Sequence, residues 1–99
     1  MMDEIAFLWD EKKNKANQKK HGVSFEEAKT AFSDEYGRLI HDPEHSDDEE
    51  RFILLGVSQS IRVLVVCHCY KDQDNIIRII SARKADQSEI KQYRDFRHA

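Results

Sequence analysis

Ninety-nine residues fill one compact domain, 1–99, with 39% hydrophobic residues for a modest core and 35% charged residues for its surface. No apolar run reaches the length of a membrane span, and the acidic start Met1-Met2-Asp3-Glu4 is unlike a secretory signal, so a cytoplasmic protein is expected. A net charge of −3 excludes a general nucleic-acid coat, but not a single basic groove.

The charge is divided along the chain. Residues 1–50 hold seven Lys/Arg against fourteen Asp/Glu (−7), and residues 51–99 hold nine against five (+4). That division suits a site-specific anion binder, or a protein that also meets a basic partner.

Residues 5–9 are apolar and suit a short strand or a hydrophobic staple. Asp10 is placed to cap a helix over 11–20, in which only Ala16 is apolar, and Gly22 is placed to stop it. Ser24-x-x-Glu27 reads as a capping box for a second helix with Phe25, Ala28, Ala31 and Phe32 on its apolar stripe. Residues 36–41 suit a first strand. The stretch 42–50 has the only proline and six acids, so it reads as a loop. Strands are expected at 52–57, 61–70 and 76–83, joined by turns at 58–60 and 71–75, with 61–70 central because it is apolar on both faces. Asp86-x-x-Glu89 then caps a last helix carrying Ile90, Tyr93 and Phe96. The predicted fold class is α+β, with two N-terminal helices, an antiparallel β-meander of about four strands and a C-terminal helix.

Cys67 and Cys69 flank His68, but strand alternation turns His68 away from both sulfurs. Two reduced, buried thiols are expected there, and neither a metal site nor a cofactor. Alternation also places Arg78 with Ile76 and Ile80 on one face, and Ser81 and Arg83 with Ile77 and Ile79 on the other. On this reading the two arginines need not share a site.

No phosphate-binding glycine loop, nucleophile elbow or His-Glu-x-x-His motif is present. Cleavage of RNA needs none of them. The substrate's own 2′-OH attacks the adjacent phosphorus, so the protein has only to move protons and hold the developing charge. Histidine suits the first task near neutral pH, and Arg51, Arg78 and Arg83 offer the bidentate phosphate geometry for the second. His21 either moves a proton or, beside Gly22, serves the helix C-terminus; His68 is either a base or a satisfied core histidine. Tyr93 lies on the apolar stripe of the last helix and Ser81 most often would bond backbone.

Particular blocks point to a family. Phe7-x-Trp9-Asp10-x-x-Lys13, Asn17-x-x-Lys20-His21-Gly22-Val23-Ser24-Phe25-Glu26-Glu27-Ala28 and Phe32-x-Asp34 resemble the N-terminal half of the BrnT toxins. So do Asp42-Pro43-Glu44-His45-Ser46, Glu50-Arg51-Phe52, Gly56-x-Ser58 and Ile77-Arg78-Ile79-Ile80-Ser81-Ala82-Arg83-Lys84-Ala85 with Glu89 and Tyr93. The resemblance implies a RelE-like fold and an endoribonuclease toxin that cleaves mRNA without a metal and inhibits translation. It further implies neutralisation by a BrnA-like ribbon-helix-helix antitoxin, through which the toxin reaches operator DNA. His21, Arg51, His68, Arg78 and Arg83 are then the expected catalytic residues, with Lys20, Lys71, Ser81 and Lys84 expected to bind substrate. The run Asp47-Asp48-Glu49-Glu50, too dense for local cations to pair, is expected to face the antitoxin. Many members carry an arginine where this chain has Tyr70-Lys71. A rival reading is therefore an inactive module that binds the antitoxin and co-regulates the operon.

Overall fold

A computed structural model describes residues 5–45 and 49–98; the acidic start and Ser46, Asp47 and Asp48 lie outside the described residues. Strand β1 (Ala6–Leu8) leads into helices α1 (Glu11–His21) and α2 (Phe25–Thr30). A meander follows: β2 (Arg38–Asp42), β3 (Arg51–Val57), β4 (Val63–Lys71) and β5 (Ile76–Lys84). Helix α3 (Gln87–Arg97) ends the chain.

The spatial order is β1-β5-β4-β3-β2. β2 to β5 pair antiparallel, but β1 runs parallel to β5, setting Phe7 opposite Ile77. The expectation of about four strands, all antiparallel, is therefore corrected: among the described residues the sheet is mixed and has five strands. Three residues are too few to show an alternating pattern. Their partner is decided by the route of the chain, which passes through two helices and the meander before β5 comes alongside.

Asp10 caps α1 by accepting from the N–H groups of Lys12 (2.8 Å) and Lys13 (3.2 Å), and Gly22 closes it at φ 70°. The helix has no apolar stripe, and two buried asparagines hold it in place. Asn17 donates to the carbonyls of Val23 (2.9 Å) and Ala82 (2.8 Å) and accepts from the Ala82 N–H (3.1 Å). Asn14 accepts from the Phe25 N–H at 2.8 Å. β1 covers β5 only as far as Arg78, so the Asn17 amide takes the place of a strand at Ala82.

Val23, Phe25, Ala28 and Ala31 pack on Leu54, Leu64, Val66, Ile77, Ile79 and Ala82, making the core on the helical face of the sheet. Only half of the box expected in α2 forms. Ser24 accepts from the Glu27 N–H at 3.0 Å, but the Glu27 carboxylate turns to Ser58 (2.7 Å) and to an ion pair with Arg62. Arg62 also reaches the Gly22 carbonyl (3.1 Å), tying the α1–α2 corner to the β3–β4 turn. α3 carries the complete box between Asp86 and Glu89. Tyr93 docks it on the other face, beside Leu55 and Val65, and donates to Asp34 at 2.6 Å. Burial, together with the Asp34 carboxylate that accepts this bond, pushes the Tyr93 hydroxyl up to about 12.

The hydrogen bond from Arg62 holds the Glu27 carboxyl below its ordinary value of 4.5, against the opposing effect of burial. A depressed folded pKa stabilises the protein fully above the ordinary value. The contribution is lost as pH falls through the lower, folded value. Acid titration of stability should therefore show a loss below pH 4.5. The Glu27→Gln variant should be less stable at neutral pH and show a shallower loss in urea unfolding curves taken from about pH 6 to about pH 3.

Candidate active site

The face of the sheet opposite α1 and α2 is covered by α3 only around Leu55, Val65 and Tyr93. Beyond that corner lies an open groove lined by Asp42, Arg51, Cys67, Ser81, Arg83 and His21, with Ile53 and Ile80 among its apolar walls. Register builds it row by row. Ile53, Cys67 and Ser81 stand side by side across β3, β4 and β5, and Leu55, Val65 and Arg83 form the next row.

One irregularity decides which residues share this face. Pairing passes from Cys67–Ser81 to His68–Ile79, so Ile80 is an extra residue on β5. Ile77, Ile79 and Ala82 consequently all face the helices, whereas Ser81 and Arg83 line the groove and Arg78, paired with Cys69, lies on the same face of the sheet. Simple alternation separates Arg78 from Ser81 and Arg83. The bulge reverses the parity between them and puts them together, correcting that expectation.

The guanidinium groups are held by carboxylates. Arg83 makes a fork with Glu89, Nη1 to Oε1 and Nη2 to Oε2, both at 2.8 Å, with its own side chain 43% exposed. Glu89 lies in the first turn of α3, so capping that helix and orienting Arg83 depend on the same carboxylate. Glu49 accepts from Lys71 (2.9 Å) and Arg78 (2.8 Å) and approaches Arg51 at 3.9 Å. The Lys71 hydrogen bond holds its carboxyl low. Within the run expected to lack local cations, Glu49 thus has three; Asp47 and Asp48 lie outside the described residues.

His21, half-buried, ends α1 at the groove's rim, where the Asn17–Ala82 contact fixes the helix against β5. Lys20 is exposed next to His21 on α1. Lys84, also exposed, pairs with Leu64 and alternates with Arg83, so it falls on the helical face of the sheet and not in the groove, which corrects its expected place beside the substrate. Lys71 sits at the far end of β4, tied to Glu49.

His68 is elsewhere. It is fully buried on the helical face, its Nδ1 3.1 Å from the Val66 carbonyl, its Nε2 3.2 Å from the Tyr70 hydroxyl and its ring against Phe32. Burial lowers its pKa and keeps it neutral, as suits a satisfied core histidine. Cys69 is buried and Cys67, beside Ser81, half-buried. Burial pushes both thiols up, away from the reactive thiolate.

Sequence reasoning did not single out Asn17 or Asp42 for this region. The available signal for Asn17 was a pair of asparagines at i and i+3 on a helix with almost nothing apolar to bury.

The family model for the ribonuclease toxin BrnT of type II toxin–antitoxin systems matches residues 9–89. The chain belongs to the BrnT family. As a member of the BrnT family it is a ribonuclease toxin of a type II pair, and such a pair supplies an antitoxin. Its fold is similar to the crystal structure of the Brucella abortus ribonuclease toxin BrnT, with a TM-score of 0.65 and 22% identity, covering 84% of this chain and 99% of that one. No curated protein sequence matches. Among the described residues of this BrnT-family chain, no helix is long and apolar enough to cross a membrane.

Proposed function

We propose that the groove is the active site of a metal-independent endoribonuclease that cleaves mRNA and so inhibits translation in the cytoplasm. The observation that carries this reading is the bulge at Ile80, which gathers Ser81, Arg83 and Arg78 on the uncovered face that His21 and Arg51 also reach. In the proposed step the 2′-oxygen forms a bond to phosphorus and the bond to the 5′-oxygen breaks, leaving a 2′,3′-cyclic phosphate and a 5′-hydroxyl. His21 takes the 2′ proton and returns it to the departing 5′-oxygen. Arg83, Arg51 and Arg78 hold the charge that develops on the phosphoryl oxygens. A guanidinium has five N–H donors, so the pairs with Glu89 and Glu49 orient these groups and leave donors for a phosphate. Ser81, Lys20 and Lys71 would meet the flanking backbone. His68 has no part in this step, because its imidazole lies across the sheet. A BrnA-like ribbon-helix-helix antitoxin is the proposed partner, and operator DNA is reached through it.

Purified protein should cleave RNA with a chelator present and leave cyclic phosphate ends. The His21→Ala variant should be about a hundred-fold slower or more, with its unfolding midpoint little changed. A chelator-abolished activity, or full activity in His21→Ala, would overturn the mechanism.

The carboxylate pairing of Arg78 and Arg83 favours one other reading, a binding module whose cations are internally neutralised. Retained antitoxin binding without any RNA cleavage would select it.

A further inference from the structure

The sheet has two edges. On one side β1 and the Asn17 side chain cover β5. Among the described residues the edge strands are the three-residue β1 and the five-residue β2, neither with a strand beyond it. Edge strands are usually guarded by proline, a bulge or an inward charge. The middle of β2 is Leu39-Ile40-His41, and Leu39 is 52% exposed.

Leu39 and His41 stand in register with Leu54 and Phe52, on the helical face and away from the groove. There Leu39 borders a cavity of about 480 Å³ with Phe52 and Tyr70 as its apolar floor and Glu49, Glu50 and Asp74 as its rim. Phe52 and Tyr70 meet edge to face at 5.4 Å. Glu49 is engaged by Lys71 and Arg78, but the Glu50 side chain is 74% exposed with His41 3.9 Å away. Asp74 comes from the β4–β5 turn, where Asp72, Gln73 and Asp74 have φ of 50°, 55° and 70°. Three consecutive non-glycine residues in that region are unusual, and they hold a carboxylate at the cavity's edge.

We infer that β2 and this cavity receive an extended, basic segment of the cognate antitoxin, which adds to the sheet as a sixth strand. The inference rests on the antitoxin reading above. Strand addition supplies main-chain hydrogen bonds along β2, and the period of two sends alternate side chains over Leu39 and His41. A Lys or Arg there enters an aromatic floor with carboxylates at its rim, the environment that favours a cation. A basic segment of the proposed DNA-binding partner would be steered toward this acidic rim rather than toward the arginines on the opposite face. A second copy of this chain would set one acidic rim against another.

The test uses the purified toxin and its cognate antitoxin, with binding measured by calorimetry across a salt series. Leu39→Asp, and separately Glu50→Lys with Asp74→Lys, should each weaken binding by about tenfold or more, the charge reversals also flattening the salt dependence. Both free variants should unfold at the wild-type temperature and retain wild-type RNA cleavage. Amide exchange at residues 38–42 should slow on complex formation. If wild type fails to cleave RNA while Leu39→Asp still loses the antitoxin, the nuclease reading fails and this surface stands. The inference is overturned by absent binding, by affinities within about twofold of wild type, or by unprotected β2 amides. A free chain that sediments as a dimer and becomes monomeric in Leu39→Asp would also overturn it, assigning the edge to a second copy.

Discussion

The Arg83→Lys variant should lose about a hundred- to thousand-fold in RNA cleavage while remaining folded, the usual effect of removing one donor that meets transition-state charge. The guanidinium makes two parallel bonds to Glu89, and that fork sets the plane in which its remaining donors lie. A lysine ammonium can keep one contact to Glu89 but has no plane to set, so it meets a phosphate as an unoriented point charge. The cost to stability should be small. With the Arg83 side chain 43% exposed, solvent screens the pair, and exposed pairs contribute about 0–1 kcal/mol. Thermal unfolding measured beside RNA cleavage separates the two effects. Near wild-type cleavage by a folded Arg83→Lys protein would remove Arg83 from the chemistry.

Asn17→Ala should have the largest effect on stability. Its amide satisfies three buried backbone groups: the Val23 carbonyl, and both the carbonyl and the N–H of Ala82. An unsatisfied buried polar group costs about 1–3 kcal/mol, so the sum is expected at about 3 kcal/mol or more. For a domain of this size that lowers the melting temperature by on the order of 15 °C. The same contact seats the end of α1 against β5, so cleavage measured well below the melting temperature should fall with it. An unchanged urea midpoint would show that other contacts hold the helix.

Parts of this architecture were legible in local chemistry. Asp10 and Gly22 bound α1, Asp86 and Glu89 start α3, and the meander follows from apolar runs separated by short polar turns. These signals survive because a cap or a tight turn is satisfied within a few residues of the chain. The Glu27 half of the second box failed for the opposite reason. A half-buried guanidinium from 35 positions away competes for the same carboxylate and takes it.

The candidate site divides along the same line. Which residue types are present, and that arginines and histidine suit RNA cleavage, follows from the chain alone, as does the family resemblance carried by its motifs. Where those side chains point does not. A strand's parity is a local rule, but a bulge depends on the neighbouring strand, and one extra residue at Ile80 moves Ser81 and Arg83 onto the face of Arg78. His68 goes to the core for a related reason. It pairs across β3 and β5 with Phe52 and Ile79, so its face is settled by what those strands bury. β1 is the simplest case. Ala6–Leu8 carries too little pattern to name a partner, and only the folded chain supplies the β5 edge that it joins.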